Sequence, residues 1–176
     1  KKPKSLSLIE KDFFLAENLK KKYSDFNNIK VYNSDVLKFD IEKITTKNTI
    51  IFGNLPYNIS SQILVKFLKF KKWPPKFNDL IFMFQKELGK KIIGVYPSSD
   101  YGRIAILSNF RLNVLNKFYV SPNCFFPKPK VTSMVIHFRT KKKNSFTIKN
   151  ISNLEKVTNI LFSNKRKMIN KNIKKI

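Results

Sequence analysis

Apolar positions recur along this chain with two periods, and the switches between them mark out the elements. Leu6–Ile9 predicts a short strand, and Phe13–Tyr23 spaces Leu15, Ala16, Leu19 and Tyr23 three and four residues apart, as one face of a helix does. Ile29–Asn33 alternates apolar and polar side chains, and Ile50–Gly53 is the next strand-like run. Ser60 or Ser61 is placed to cap a helix with the stripe Ile63, Leu64, Phe67 and Leu68. Leu80–Phe84 is continuously apolar, which predicts a strand buried on both faces. Lys86–Ile93 and Tyr101–Phe110 read as helices. Leu112–Val120 and Val131–Arg139 alternate with period two and have no helix between them, so they are expected to be antiparallel neighbours closing one edge of a sheet.

Strands alternating with helices predict an α/β fold, a mostly parallel sheet with helices on both faces. This domain is expected over residues 1–140. A linker rich in Lys, Asn and Ser follows at 141–150, and a basic helical segment begins at 151–176. There Ile151, Leu154, Val157 and Leu161 mark one helix, and Phe162, Ile169, Ile173 and Ile176 a second with Lys165, Arg166 and Lys167 on its polar face.

Composition narrows the function. No apolar run approaches the length of a membrane span. One cysteine, Cys124, excludes an internal disulfide or a multi-cysteine zinc site, and with one histidine beside it no metal is expected. A reducing, cytoplasmic setting fits. Lys and Arg number 36 against 11 Asp and Glu, for a net charge of +25. A field of that sign favours a polyanion. The bland alternative is a coding bias towards Lys, Asn, Ile and Phe, but the basic excess is dense at the C-terminal end, with 11 basic residues and one acidic from Thr140 to Ile176.

Candidate chemistry lies at strand ends. Asn54-Leu55-Pro56-Tyr57 follows the run Thr49–Gly53, and ligands in α/β sheets bind beyond the carboxyl ends of the strands. The Asn54 carboxamide and the Pro56 carbonyl are two acceptors suited to one exocyclic amine, and Tyr57 offers a ring to stack on the base carrying it. An ordinary turn explains the same residues. Glu10 and Asp35 end the two preceding strands, and right-handed crossovers bring such positions to one edge. A carboxylate there accepts from ribose hydroxyls, and one on the next strand accepts from an adenine amine. The competing reading makes Glu10, like Asp12, an acid favoured by the start of a helix.

Asn54-Leu55-Pro56-Tyr57-Asn58-Ile59-Ser60, Asp100-Tyr101-Gly102-Arg103 and Phe125-Phe126-Pro127-Lys128-Pro129-Lys130-Val131-Thr132-Ser133 closely resemble the small-subunit ribosomal RNA adenine dimethyltransferases of the KsgA type. Ile9-Glu10-Lys11-Asp12, Asn33–Phe39, Gln85-Lys86-Glu87 and the Lys165–Asn172 stretch fit that family in the same order, so the resemblance spans almost the whole chain. It implies a Rossmann-like class I methyltransferase using S-adenosyl-L-methionine. Glu10 would hold the ribose, Asp35 with Val36 the adenine, and Asn54 would border the cofactor. Asn54 and Pro56 would grip the target amine, with Tyr57 and Phe125 sandwiching the flipped base. Arg103, Lys128, Lys130, Lys165, Arg166 and Lys167 would contact RNA. The implied product is dimethyladenosine at two adjacent adenines in the 3′-terminal hairpin loop of small-subunit rRNA, formed during ribosome assembly by a monomer. Splayed loop bases read by aromatics suit RNA recognition.

The family's Gly-rich cofactor loop lies ahead of the Glu10 motif, and Gly53, Gly89, Gly94 and Gly102 form no such cluster. The chain therefore reads as an interior piece, expected to be weakly active or inactive alone. Rival readings are a large-subunit rRNA methyltransferase of the antibiotic-resistance type, a DNA adenine methyltransferase, and a non-catalytic RNA-binding assembly factor. His137 is expected at the surface and Cys124 as a small buried hydrophobe. Trp73-Pro74-Pro75 reads as a loop anchor, and Arg103 serves either RNA or the fold.

Overall fold

The computed structural model describes residues 3–142, 148 and 150–163. They fall into two compact units that divide between Thr46 and Lys47.

The first unit is a βαβ piece. Strand β1 (Leu6–Glu10) pairs in parallel with β2 (Ile29–Asn33), Leu6 opposite Ile29 and Glu10 opposite Asn33. A parallel pair needs a crossover, and helix α1 (Phe13–Lys22) supplies it. Asp12 starts α1 because its side chain accepts from the Leu15 N–H at 2.9 Å, and Lys20, Lys21 and Lys22 meet the negative end of the helix dipole. The predicted apolar face is only partly used. Ala16 is fully buried, whereas Leu15 stays 54% exposed. Two strands about 4.8 Å apart make a ribbon narrower than a helix, so only the central strip of α1 is covered.

The second unit carries a four-stranded sheet in the order β3-β4-β6-β5. Its elements are β3 (Thr49–Asn54), α2 (Ser60–Leu68), β4 (Phe77–Gln85), α3 (Lys86–Ile92), α4 (Arg103–Arg111), β5 (Leu112–Val120), β6 (Ser133–Thr140) and α5 (Ile151–Leu161). Strands β3 and β4 are parallel, while β6 runs antiparallel to both β4 and β5. The sheet is therefore mixed rather than mostly parallel. The cause is the one anticipated for the last two strands: without a helix between them, β5 and β6 can only run antiparallel. Strand β5 takes the edge, which accounts for its largely exposed side chains.

The core of this unit is aromatic. Phe67 of α2 packs on Phe82 and Phe77 of β4 with ring centroids 5.5 and 5.6 Å away, and Leu80, Phe84 and Phe138 are as deeply buried. Each such side chain contributes about 1.5–3 kcal/mol of burial. Helix α3 lies close on the same face, because a Cβ on Gly89 would meet the Met134 sulfur at 2.7 Å. Helix α5 packs on α4, and Lys69 pairs with Glu155 at 2.8 Å. The opposite sheet face carries Ile50 and Phe52, which are 49% and 70% exposed.

At the Phe77 end of β4, Arg111 closes the unit. Its guanidinium donates to the carbonyls of Leu68 and Phe70, at the end of α2, and lies 4.4 Å from the Trp73 ring centroid. A cation suits a helix C-terminus, and burial pushes Arg111 down only to about 10, so it stays charged at neutral pH. Trp73 donates from Nε1 to the Lys141 carbonyl at 3.0 Å and is the loop anchor expected of it.

On the half-covered face, Asp79 binds Arg139 through both oxygens, at 2.8 and 3.2 Å, with His137 Nε2 at 3.2 Å. Burial pushes the Asp79 carboxyl up, but hydrogen bonds and charge from Arg139 and His137 outweigh it and leave it below the ordinary carboxylate value. A depressed carboxyl contributes stability above its unfolded value and loses that contribution as pH falls through the folded value. Asp79→Asn should therefore cost about 1–2 kcal/mol at pH 7, given that Arg139 is half exposed. The gap to the unsubstituted protein should close towards pH 3, as followed by urea denaturation at both pH values. An equal loss at both would contradict this account.

Candidate functional site

Glu10 and Asp35 meet at the carboxyl edge of the β1–β2 pair. Asn33 Nδ2 donates to the carbonyls of Glu10 and Lys11 at 3.1 Å each, and the Ser34 N–H donates to the Glu10 carbonyl at 2.9 Å, which knits the two strand ends together. Glu10 Oε1 accepts from the Asp12 N–H at 2.8 Å. Asp12, rather than Glu10, caps α1; Glu10 binds the N–H of that cap residue through Oε1, which leaves Oε2 for a ligand.

Asp35 makes a tight turn in which Oδ1 accepts from the Leu37 N–H at 2.9 Å, while Oδ2 pairs with Lys11 Nζ at 3.0 Å. The Leu37 N–H first, and Lys11 after it, hold the Asp35 carboxyl below the usual range against a smaller opposing effect of burial. It is an ionised acceptor at neutral pH. Val36 is half-buried in the same turn.

In the second unit Asn54 ends β3 opposite Met83, and the chain then turns over the edge of the sheet. Gly53 makes that turn possible, since a Cβ there would meet Leu55 Cδ2 at 2.5 Å and Phe82 at 3.0 Å. Leu55, 9% exposed, drops into this space as a plug. The Asn54 carboxamide is exposed and makes no side-chain hydrogen bond among the described residues. The Pro56 carbonyl accepts from the Ile59 N–H at 3.1 Å, which uses one of its two lone pairs.

Tyr57 is half-buried and held at both ends. Ser60 Oγ donates to its carbonyl at 3.1 Å, and its phenol shares a hydrogen bond with Ser133 Oγ at 2.7 Å. Neither Ser60 nor Ser61 acts as the expected cap. Ile59 takes that position without a side-chain bond, and Ser60, fully buried, serves the tyrosine instead.

The loop before β6 carries Phe125, half-buried, with Lys128 and Lys130 exposed. Because Ser133 pairs with Gln85, the last residue of β4, this loop leaves the sheet at the edge where β3 and β4 end. Arg103 is exposed at the first position of α4. Cys124 is exposed, which corrects the expectation of a small buried hydrophobe: the short helical turn Pro122–Cys124 stands off the sheet and buries none of its residues. His137 is 30% exposed and belongs to the Asp79 ion cluster. Lys165, Arg166 and Lys167 lie outside the described residues. Among the described residues there is no group of three or more potential metal-ligating side chains, and no helix is long and apolar enough to cross a membrane.

From the sequence Ser60 is expected only to cap a helix, and neither Ser133 nor Arg111 is given an individual role. Ser133 closes a recognised motif, which was the only signal for it. Ser60 closes the Asn54–Ser60 motif and Arg111 lies in none, and the partners of both are main-chain carbonyls, which leave no side-chain pattern to find.

The arrangement is that of a Rossmann-like α/β methyltransferase, and two solved structures share it. A dimethyladenosine transferase from Plasmodium falciparum superposes with a TM-score of 0.79 at 29% identity, covering 97% of this chain and 60% of that one. The 23S rRNA methyltransferase ErmE superposes at 0.71 with 22% identity, over 97% and 66% of the two chains, and shows the fold alone. The chain belongs to the ribosomal RNA adenine dimethylase family, whose model matches residues 1–176. It is 44% identical over 171 residues to ribosomal RNA small subunit methyltransferase A of Pelagibacter ubique (strain HTCC1062), covering 97% of this chain and 64% of that protein. It thus spans less than two thirds of that relative's length.

The strand-end turn makes a direct prediction. In an NMR titration, Lys11→Ala should raise the Asp35 pKa while leaving it below the ordinary value, because the Leu37 N–H remains the larger influence. A return to the ordinary value would mean that the ion pair alone depresses it.

Proposed function

We propose that the protein of which this chain is part transfers methyl groups to adenine N6 atoms of small-subunit ribosomal RNA, with S-adenosyl-L-methionine as donor. The observation that carries the reading is the 54–57 turn, where an unengaged carboxamide, a carbonyl with a spare lone pair and a tied aromatic ring are held together by a buried leucine. The names of the relatives and the membership of the family support the same substrate class.

The residues of the first unit suit the donor. Asp35 is an ionised acceptor for an adenine amine, Val36 offers apolar surface beside it, and Glu10 keeps one oxygen for ribose hydroxyls. When bound, the donor supplies an already activated methyl group. The chain's own residues then have a positioning task, which is worth several orders of magnitude in rate. Asn54 Oδ1 and the Pro56 carbonyl accept the two N–H bonds of the target amine and draw them out of the ring plane. That localises a lone pair otherwise delocalised into the base. Tyr57 and Phe125 stack on the two faces of the flipped adenine. No general base is required, since the proton leaves after transfer.

Arg103, Lys128 and Lys130 are exposed cations for phosphates on the RNA side, and Lys165, Arg166 and Lys167 are assigned the same role from their sequence. The target proposed is the pair of adjacent adenines in the 3′-terminal hairpin loop. Each would be dimethylated by a monomer acting on immature cytoplasmic small subunits.

The test uses the full-length protein with radiolabelled donor. Small-subunit particles lacking the modification should be methylated, and large-subunit rRNA should not; the reverse preference would move the protein to the antibiotic-resistance class. Asn54→Ala should lower transfer at least a hundredfold while RNA affinity changes by less than about threefold. Transfer at the unsubstituted rate would sink the assigned mechanism.

A further inference from the structure

Two serines with no accessible surface hold Tyr57, and they act on different parts of it. Ser60 Oγ fixes the main chain by donating to the Tyr57 carbonyl, whereas Ser133 Oγ meets the tip of the side chain. Ser133 is itself fully buried within the sheet. It pairs with Gln85 of β4 on one side and Val120 of β5 on the other, so its main chain is held by strands on both flanks. Stacking on a base uses the face of the tyrosine ring and has no use for its hydroxyl; a phenylalanine offers the same face. The hydroxyl's partner is 76 residues away in sequence, across the end of β4.

We infer that Ser133 is a positioning residue for methyl transfer: by binding the Tyr57 phenol it locks the ring in one orientation, so that the stacked base presents its amine to Asn54 and Pro56. A side chain tied only at its backbone keeps two free torsions, χ1 and χ2. A bond at the ring's far end restrains both. The inference rests on the reading of Tyr57 as the stacking ring, and it assigns the source of that ring's order to a different strand.

The experiment compares the full-length protein with Ser133→Ala, Tyr57→Phe and the double variant. Methyl transfer to small-subunit rRNA is measured alongside the fluorescence of a hairpin RNA carrying 2-aminopurine at the target adenine, with urea denaturation as the stability control. Each single variant should lower kcat about fivefold, with KM little changed and quenching of the 2-aminopurine reduced. The double variant should be no worse than either single one, because both remove the same bond. Tyr57→Phe takes that bond away without altering the buried serine, which covers the case in which Ser133→Ala unfolds the protein. Multiplying losses in the double variant, or slower transfer with unchanged quenching, would overturn the role of Ser133 and leave the proposed function standing. Absence of any transfer by the unsubstituted protein would overturn the proposed function and Ser133's role together.

Discussion

Parallel strands that are held in register must finish at the same edge, and the candidate site of the second unit depends on this constraint acting on β3 and β4. Ile50 to Asn54 run opposite Asp79 to Met83, so the chain leaves β3 beside the last residues of β4. Phe82 is pinned from behind by Phe67. A side chain at Gly53 would strike both Phe82 and Leu55, and its absence lets Leu55 seat beneath the turn. With the plug in place, the residues on either side of Leu55 are presented outward.

The two ends of the sheet are finished by different physics. At the Phe77 end, a buried guanidinium satisfies carbonyls left over at the end of α2 and stacks on Trp73, so charge is used to close the fold. At the Gln85 end, the described polar contacts around Tyr57 are made by neutral hydroxyls and a carboxamide is left open. That distribution suits the proposed reaction, whose donor would be already activated. The demand on the protein is orientation, which neutral hydrogen bonds deliver without the desolvation penalty of buried charge.

Much of this was legible in the chain. The strands at Leu6, Ile29, Ile50, Leu80, Leu112 and Val131 all form, with ends moved by a few residues, because each is a run of apolar or alternating side chains of the kind that fits a pleated layer. The 54–57 turn was visible because Pro fixes the backbone while Gly and Asn tolerate the conformations that turns need. The exposed Leu15, the exposed Cys124 and the serine clamp were not legible. Each depends on how wide a sheet is, how far a loop stands off it, or which strand passes nearby.

Local chemistry thus determined which residues are candidates for the proposed work: carboxylates at two strand ends, a carboxamide and a ring on a third, and exposed cations beyond them. Those are properties of side chains and of nearest neighbours, so a linear reading reaches them. Tertiary structure alone decided which of these groups are engaged and which remain available. Tyr57 reaches Ser133 across 76 residues, and Arg111 reaches Leu68 across 43, through contacts with no periodic trace because they arise only when strand order brings distant segments together. Periodicity records which face of an element is buried; the partner on that face is chosen by the packing of the whole unit.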